Sequence, residues 1–199
     1  MRAQTCAKRD GLVARLVRPK IDLAAEQRGV RRQAVFAFLV TAPILALGAF
    51  GLPAVYGTPV DLAERFAFVI RADLILGLWV LIAVRMVSRI RFVSAEDSAG
   101  SAYAPPSPRL AVPSAFLQNT LEQAFVALVS HLALATIPGG MALGYIAAAV
   151  VLFSLGRLTF LLGYSRGAHG RAFGMVVTVL PTLGAAAWVL AHLAGSFWR

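Results

Sequence analysis

Charge is what this sequence lacks most. Only 14% of its 199 residues are Asp, Glu, Lys or Arg, while 59% are apolar. Soluble domains run at about 25% charged and about 45–50% apolar. So few charges cannot cover so much apolar surface, and the surplus has to face lipid. Cysteine is nearly absent too. The single Cys6 excludes an internal disulfide framework and, in a polar stretch, reads as an incidental thiol. Acidic residues are scarce, 9 against 19 Lys and Arg. The excess of cations raises the question of nucleic acid, and their placement excludes it as a partner. Lys8, Arg9, Arg15, Arg18, Lys20, Arg28, Arg31 and Arg32 crowd the segment ahead of the first apolar run. Basic residues there act as a membrane topology signal and favour anionic headgroups.

Five apolar runs read as spanning helices, each about 20 residues long. They cover Gln33–Leu52, Phe66–Val87, about Ala115 to the residues before Pro138, Met141–Gly163 and Ala172–Gly195. Pro53 closes the first, and Pro181 lies inside the fifth as a possible kink. Pro138-Gly139-Gly140 joins the third and fourth into a tight hairpin. Ser94–Arg109 is a small-polar, Pro-rich loop. A secretory signal peptide is the rival reading of the first run, but the polar stretch ahead of it is too long for a usual n-region. The expected organisation is a basic cytoplasmic tail over residues 1–32, a retained helix over 33–52 and a helical membrane domain over 62–199.

Counting Lys and Arg orients the chain. With five alternating spans, sixteen of the nineteen fall on one side, leaving Arg65, Arg71 and Arg199 opposite. The positive-inside rule then places the N-terminus in the cytoplasm and the C-terminus outside. That topology gathers Arg89, Arg91, Gln118, Asn119, Glu122, Arg157, Tyr164 and Arg171 at one membrane face.

Two clusters stand out there. In FLQNTLEQ, Phe116–Gln123, the residues Gln118, Asn119, Glu122 and Gln123 are three or four apart and form one polar patch. An ionisable Glu122 inside a spanning helix has to face protein, ligand or water. In GRLTFLLGYSRGAHGR, Gly156–Arg171, Arg157 stands two turns before Tyr164 and Arg171 seven residues after it. Arginine suits a bidentate grip on carboxylates, although basic residues near helix ends also serve as headgroup anchors, as expected of Arg166.

The order N-T-L-E, then R-x-x-F-x-x-G-Y, then an Arg seven residues on, resembles the MAPEG superfamily of membrane-associated eicosanoid and glutathione proteins. RIRFVSAED, Arg89–Asp97, is similar to the basic end of the family's first helix and its acidic loop. The resemblance covers about Phe66 to Gly195. It implies an all-α four-helix transmembrane bundle formed by helices two to five, with Gln33–Leu52 as an additional N-terminal transmembrane helix. It also implies a homotrimer that binds glutathione, as co-substrate, between protomers. By this resemblance Asn119, Glu122, Arg157 and Tyr164 contact glutathione, with Glu122 meeting its ammonium and Arg157 a carboxylate. Gln118, Arg89 and Arg91 join them as ligand-binding candidates, and Arg171 is the catalytic candidate that favours the thiolate.

Two positions depart from the pattern. Ala115 stands where many members carry Arg, and Phe160 where Tyr is frequent. The implied function is a glutathione-dependent transferase or peroxidase acting on lipophilic electrophiles in the cell (inner) membrane. A non-catalytic lipid- or partner-binding protein on the same scaffold is the alternative. His131 and His192 read as packed or interfacial rather than metal ligands, and His169 as a solvated loop residue. Arg71 and Asp73 are too close in sequence to face each other on a helix. Trp79, Trp188 and Trp198 fit lipid-facing or interfacial positions.

Overall fold

The computed structural model describes residues 22–103 and 105–197, which form helices and turns only. The basic residues from Arg2 to Lys20, Cys6, Trp198 and Arg199 lie outside them. Five long helices follow in order: α1 Leu23–Val55, α2 Leu62–Val93, α3 Pro108–Ala135, α4 Gly140–Gly163 and α5 Gly167–Phe197.

α1, α2 and α3 start earlier than their apolar runs because polar caps, not lipid contact, set their starts. Asp22 accepts from the Ala25 N–H at 3.0 Å, so α1 begins at Leu23 rather than Gln33 and carries Arg28, Arg31 and Arg32 on helix. Asp61 accepts from the Ala63 and Glu64 N–H groups and starts α2. The 32 residues of α2 extend ~48 Å, longer than a hydrocarbon core of ~30 Å, so its ends project from the lipid.

The displacement that bears most on the candidate residues is at α3. Asp97 accepts from the Ser107 N–H at 2.9 Å and the Ser107 hydroxyl at 2.7 Å, while Ser94 donates to it at 2.9 Å. These bonds hold the Asp97 carboxyl below the usual carboxylate range, the Ser107 backbone N–H foremost. Ser107 so held is the N-cap, with Pro108 in the first turn, where its missing N–H costs nothing. The expected start near Ala115 is thus corrected to Pro108, and the Gln118–Gln123 patch lies well inside the helix rather than at its entrance.

Inside α1, Leu47–Gly51 winds as a π-helical turn just ahead of Pro53. A wider turn accommodates the missing proline N–H. Pro181 lies within α5 without interrupting it.

By length and hydropathy three continuous stretches can cross a membrane: Leu23–Val55, Leu62–Val93 and Gly140–Ser196, the last folded back as the α4–α5 hairpin. In α3, Gln118, Asn119, Glu122, Gln123 and His131 interrupt the apolar sequence. The hairpin closes along glycines. A Cβ on Gly156 would strike the Thr178 hydroxyl, and one on Gly163 would strike the Gly170 carbonyl. Small residues let helices approach this closely in a membrane. On the other side of α4, Gly144 meets the Gly48 backbone of α1, so the first helix is packed into the bundle.

His131 is buried and bonds Asp73 at 2.8 Å, joining α3 to α2. Asp73 therefore faces inward while Arg71, two residues away, is exposed. Trp79 is half-buried and donates to Ser154 at 3.0 Å, so it serves helix packing rather than the lipid face. Trp188 packs edge-on against Tyr145, whose hydroxyl donates to the Pro181 carbonyl.

Candidate functional site

The close α4–α5 approach decides the first part of the site. Thr178 lies across the hairpin from Arg157, and its hydroxyl proton goes to the Gly174 carbonyl at 2.8 Å. The hydroxyl lone pairs are left for Arg157, which donates through Nε at 3.3 Å and through one terminal nitrogen at 2.9 Å. The other terminal nitrogen donates to Asn119 Oδ1 at 2.7 Å. Three helices thus converge on one guanidinium, which is fully buried. No carboxylate pairs with it among the described residues.

From this centre a column of cations and rings runs toward the α4–α5 turn. The Arg157 guanidinium stands 4.9 Å from the Phe160 ring centroid, Phe160 meets Tyr164 edge-on at 5.6 Å, and Arg171 lies 4.8 Å over Tyr164. Each cation over a ring gains roughly 0.5–2 kcal/mol, more where water is excluded. Phe160 also packs on Phe116. A tyrosine hydroxyl at 160 would enter this buried apolar contact, which is the physical context of that departure from the family pattern. Arg171 and Tyr164 are half-exposed at the open end of the column.

The remaining sequence-derived residues fall into two further groups. Gln118 and Glu122 bond each other at 2.8 Å on the exposed face of α3, beside Leu121 and Phe125. Neither bonds Arg157, although Asn119 on the next position does. Arg91 donates weakly to Ser101 at 3.4 Å, its charge acts on Asp97, and Arg89 is exposed. Neither arginine bonds the Arg157 or Arg171 groups.

Sequence reasoning missed Thr178, Glu26 and the structural role of His169. Thr178 had a signal, since it lies seven residues after Arg171 and four after Gly174. Glu26 on α1 accepts from the His169 backbone N–H at 3.0 Å and touches its ring Nδ1 at 3.0 Å. His169 is thus clasped rather than free in solvent. The contact crosses 143 residues of chain and fastens the first helix beside the turn that carries Arg171. That turn needs Gly167, whose φ of +84° is a conformation side chains disfavour.

Fold and side-chain arrangement together define a multi-pass, all-α membrane protein with a buried arginine joining three of its helices. The chain belongs to the MAPEG family, whose model matches residues 34–191. The match reaches back into α1, so it takes in all five helices and not only the four expected from Phe66 onward. No curated protein and no solved structure matches the chain.

Proposed function

We propose that this protein is a glutathione-dependent transferase or peroxidase acting on lipophilic electrophiles delivered from the bilayer. The observation that carries the reading is the half-exposed Arg171 guanidinium over Tyr164, at the open end of a column anchored by buried Arg157. A fixed cation beside a thiol favours the thiolate, and each pKa unit of depression is worth about 1.4 kcal/mol. In this reading Arg171 favours the glutathione thiolate, which attacks an electrophilic carbon or reduces a lipid hydroperoxide.

Arg157 acts through Asn119 here. By holding Asn119 Oδ1 it fixes the amide, whose NH2 group is left to donate to a ligand carbonyl or carboxylate. Glu122 and Gln118 are exposed on a helix face where lipid contact is unfavourable for charge. Their place in the reading is at a contact between copies of a homotrimer, with Glu122 receiving the glutathione ammonium there. Arg89 and Arg91 supply cations for its carboxylates at the same membrane side. The membrane is the cell (inner) membrane, with the N-terminus cytoplasmic and the C-terminus outside. External labelling of a cysteine placed at Ser98 tests that orientation, since reaction from outside contradicts it.

The competing reading is a non-catalytic binder of lipid or of a partner, favoured by Ala115, which leaves α3 without a cation four residues before Asn119. Turnover separates the two. Purified protein is expected to conjugate glutathione to an aryl halide or reduce a lipid hydroperoxide. Saturable lipid binding with neither reaction, and no glutathione binding, selects the binder.

A further inference from the structure

A second pair of charges stands at the opposite end of the bundle from Arg171. Arg71 and Glu64 are both exposed on α2, and neither side chain makes a hydrogen bond or ion pair among the described residues. Positions seven apart lie on nearly the same helix face. An arginine on the lipid-facing side of a span is costly unless its head reaches the polar boundary.

The sequence of α2 gives the depth of that boundary. Arg71 and Arg85 are both exposed, with the apolar run between them. Their Cα atoms are ~21 Å apart at 1.5 Å per residue. The Arg71 side chain, leaning toward the helix start, snorkels to the polar boundary on its own side, while Arg85 marks the far end of the apolar run. Arg71 therefore belongs at the phosphate level of its leaflet. Glu64 stands two turns nearer the helix start, ~10 Å further from the bilayer centre. Helix side chains lean toward the N-terminus, so the Arg71 head rises toward Glu64.

The two charges border a cleft of 570 Å³ walled by Pro59, Ala67, Phe68 and Ala72. Pro59 and Phe68 also wall a second cleft of 280 Å³, completed mainly by Leu52 and Tyr56 at the end of α1 and Leu143 on α4. The charged cleft and the apolar one thus adjoin across Pro59 and Phe68.

We propose that this groove binds a phospholipid of the bilayer whose headgroup carries a primary ammonium. The phosphate sits on Arg71, the ammonium on Glu64, and an acyl chain follows Phe68 into the recess beside Leu52 and Leu143. The order of charges selects the class. In such a lipid the phosphate is next to the acyl chains and the ammonium lies outermost, matching a deeper arginine and an outer glutamate. A glycerol headgroup offers Glu64 no cation, and a quaternary ammonium offers it no N–H to donate. This site is separate from the Tyr164–Arg171 end and does not depend on glutathione.

The full chain, reconstituted in phosphatidylcholine nanodiscs containing equal minor fractions of phosphatidylethanolamine and phosphatidylglycerol, is released and weighed intact with its retained lipids. Phosphatidylethanolamine is expected to be enriched about threefold over each of the others, the scale of an exposed ion pair. Glu64→Gln should erase the preference over phosphatidylcholine, Arg71→Leu should lower retention of all three, and Arg71→Lys should restore it. Equal retention in the parent protein overturns the proposal, as does a preference that survives Glu64→Gln. A disulfide between copies through Phe68→Cys, in a Cys6→Ser background, also overturns it, because the groove would then face a second copy.

Discussion

Arg65 and Arg157 are both buried in this bundle, near opposite ends of the helices, and they are held in contrasting ways. Arg65 gives its N–H groups to main-chain carbonyls: Ala135 at 2.8 Å, Ile137 at 2.5 Å, Gly139 at 2.9 Å and Pro59 at 3.3 Å. Ala135 and Ile137 mark the end of α3, where carbonyls have no helical N–H partner and carry the negative end of the helix dipole. Arg65 is therefore a cap. Arg157 gives its N–H groups to two side chains, Asn119 and Thr178, and leans on a ring. Thr178 is used up by these bonds, but Asn119 keeps its NH2 group free of any hydrogen bond among the described residues, whereas the capped carbonyls leave no side-chain donor behind. The contrast teaches that burial of a charge does not by itself mark a site. The acceptors do.

Breaking the cap should have the largest effect. Arg65→Leu orphans several buried carbonyls, each worth about 1–3 kcal/mol. A large fall in thermal unfolding temperature in detergent, or loss of folded protein, is expected. Arg157→Met comes next. It removes the bonds to Asn119 and Thr178 but substitutes an apolar side chain of similar length, so stability should fall by about 1–3 kcal/mol. Glutathione affinity, measured by calorimetry, should fall as well, because Asn119 loses its orientation. Equal destabilisation by the two substitutions, with affinity unchanged by the second, would erase the distinction between cap and site.

The smallest effect belongs to the loop. Asp97 has a lowered folded-state pKa, so its contribution is complete above the ordinary aspartate value of about 3.9 and is lost as pH falls through the lower folded value. Asp97→Asn should lower the unfolding temperature modestly near neutral pH. The gap to the parent should close on acidification below about pH 4. A gap that is constant with pH would mean the loop does not depend on that carboxylate's charge.

Much of this was legible in the sequence, and the exceptions have physical reasons. Four of the five helices were readable because lipid demands continuous apolar runs; α3, whose apolar sequence is interrupted, was readable from the apolar residues around its polar patch. The starts of α1 and α3 were not, since Asp22 and the Asp97–Ser107 pair carry these helices beyond the apolar runs, where hydropathy carries no signal. Asn119, Arg157, Tyr164 and Arg171 could be singled out from their spacing, and the structure links Asn119 to Arg157 and Tyr164 to Arg171. The inward turn of Arg157 depends on how closely two glycine-lined helices approach. The Glu26–His169 clasp and the Asp73–His131 pair join distant segments, and no local spacing announces them.

The most direct test of the proposed site is thiolate absorbance on adding glutathione to the parent protein and to Arg171→Ala, with unfolding temperature measured alongside. A thiolate signal in the parent, lost in the variant while the unfolding temperature stays near the parent value, is expected of a half-exposed arginine that meets the thiol. No signal in the parent, or a signal unchanged by Arg171→Ala, would contradict it.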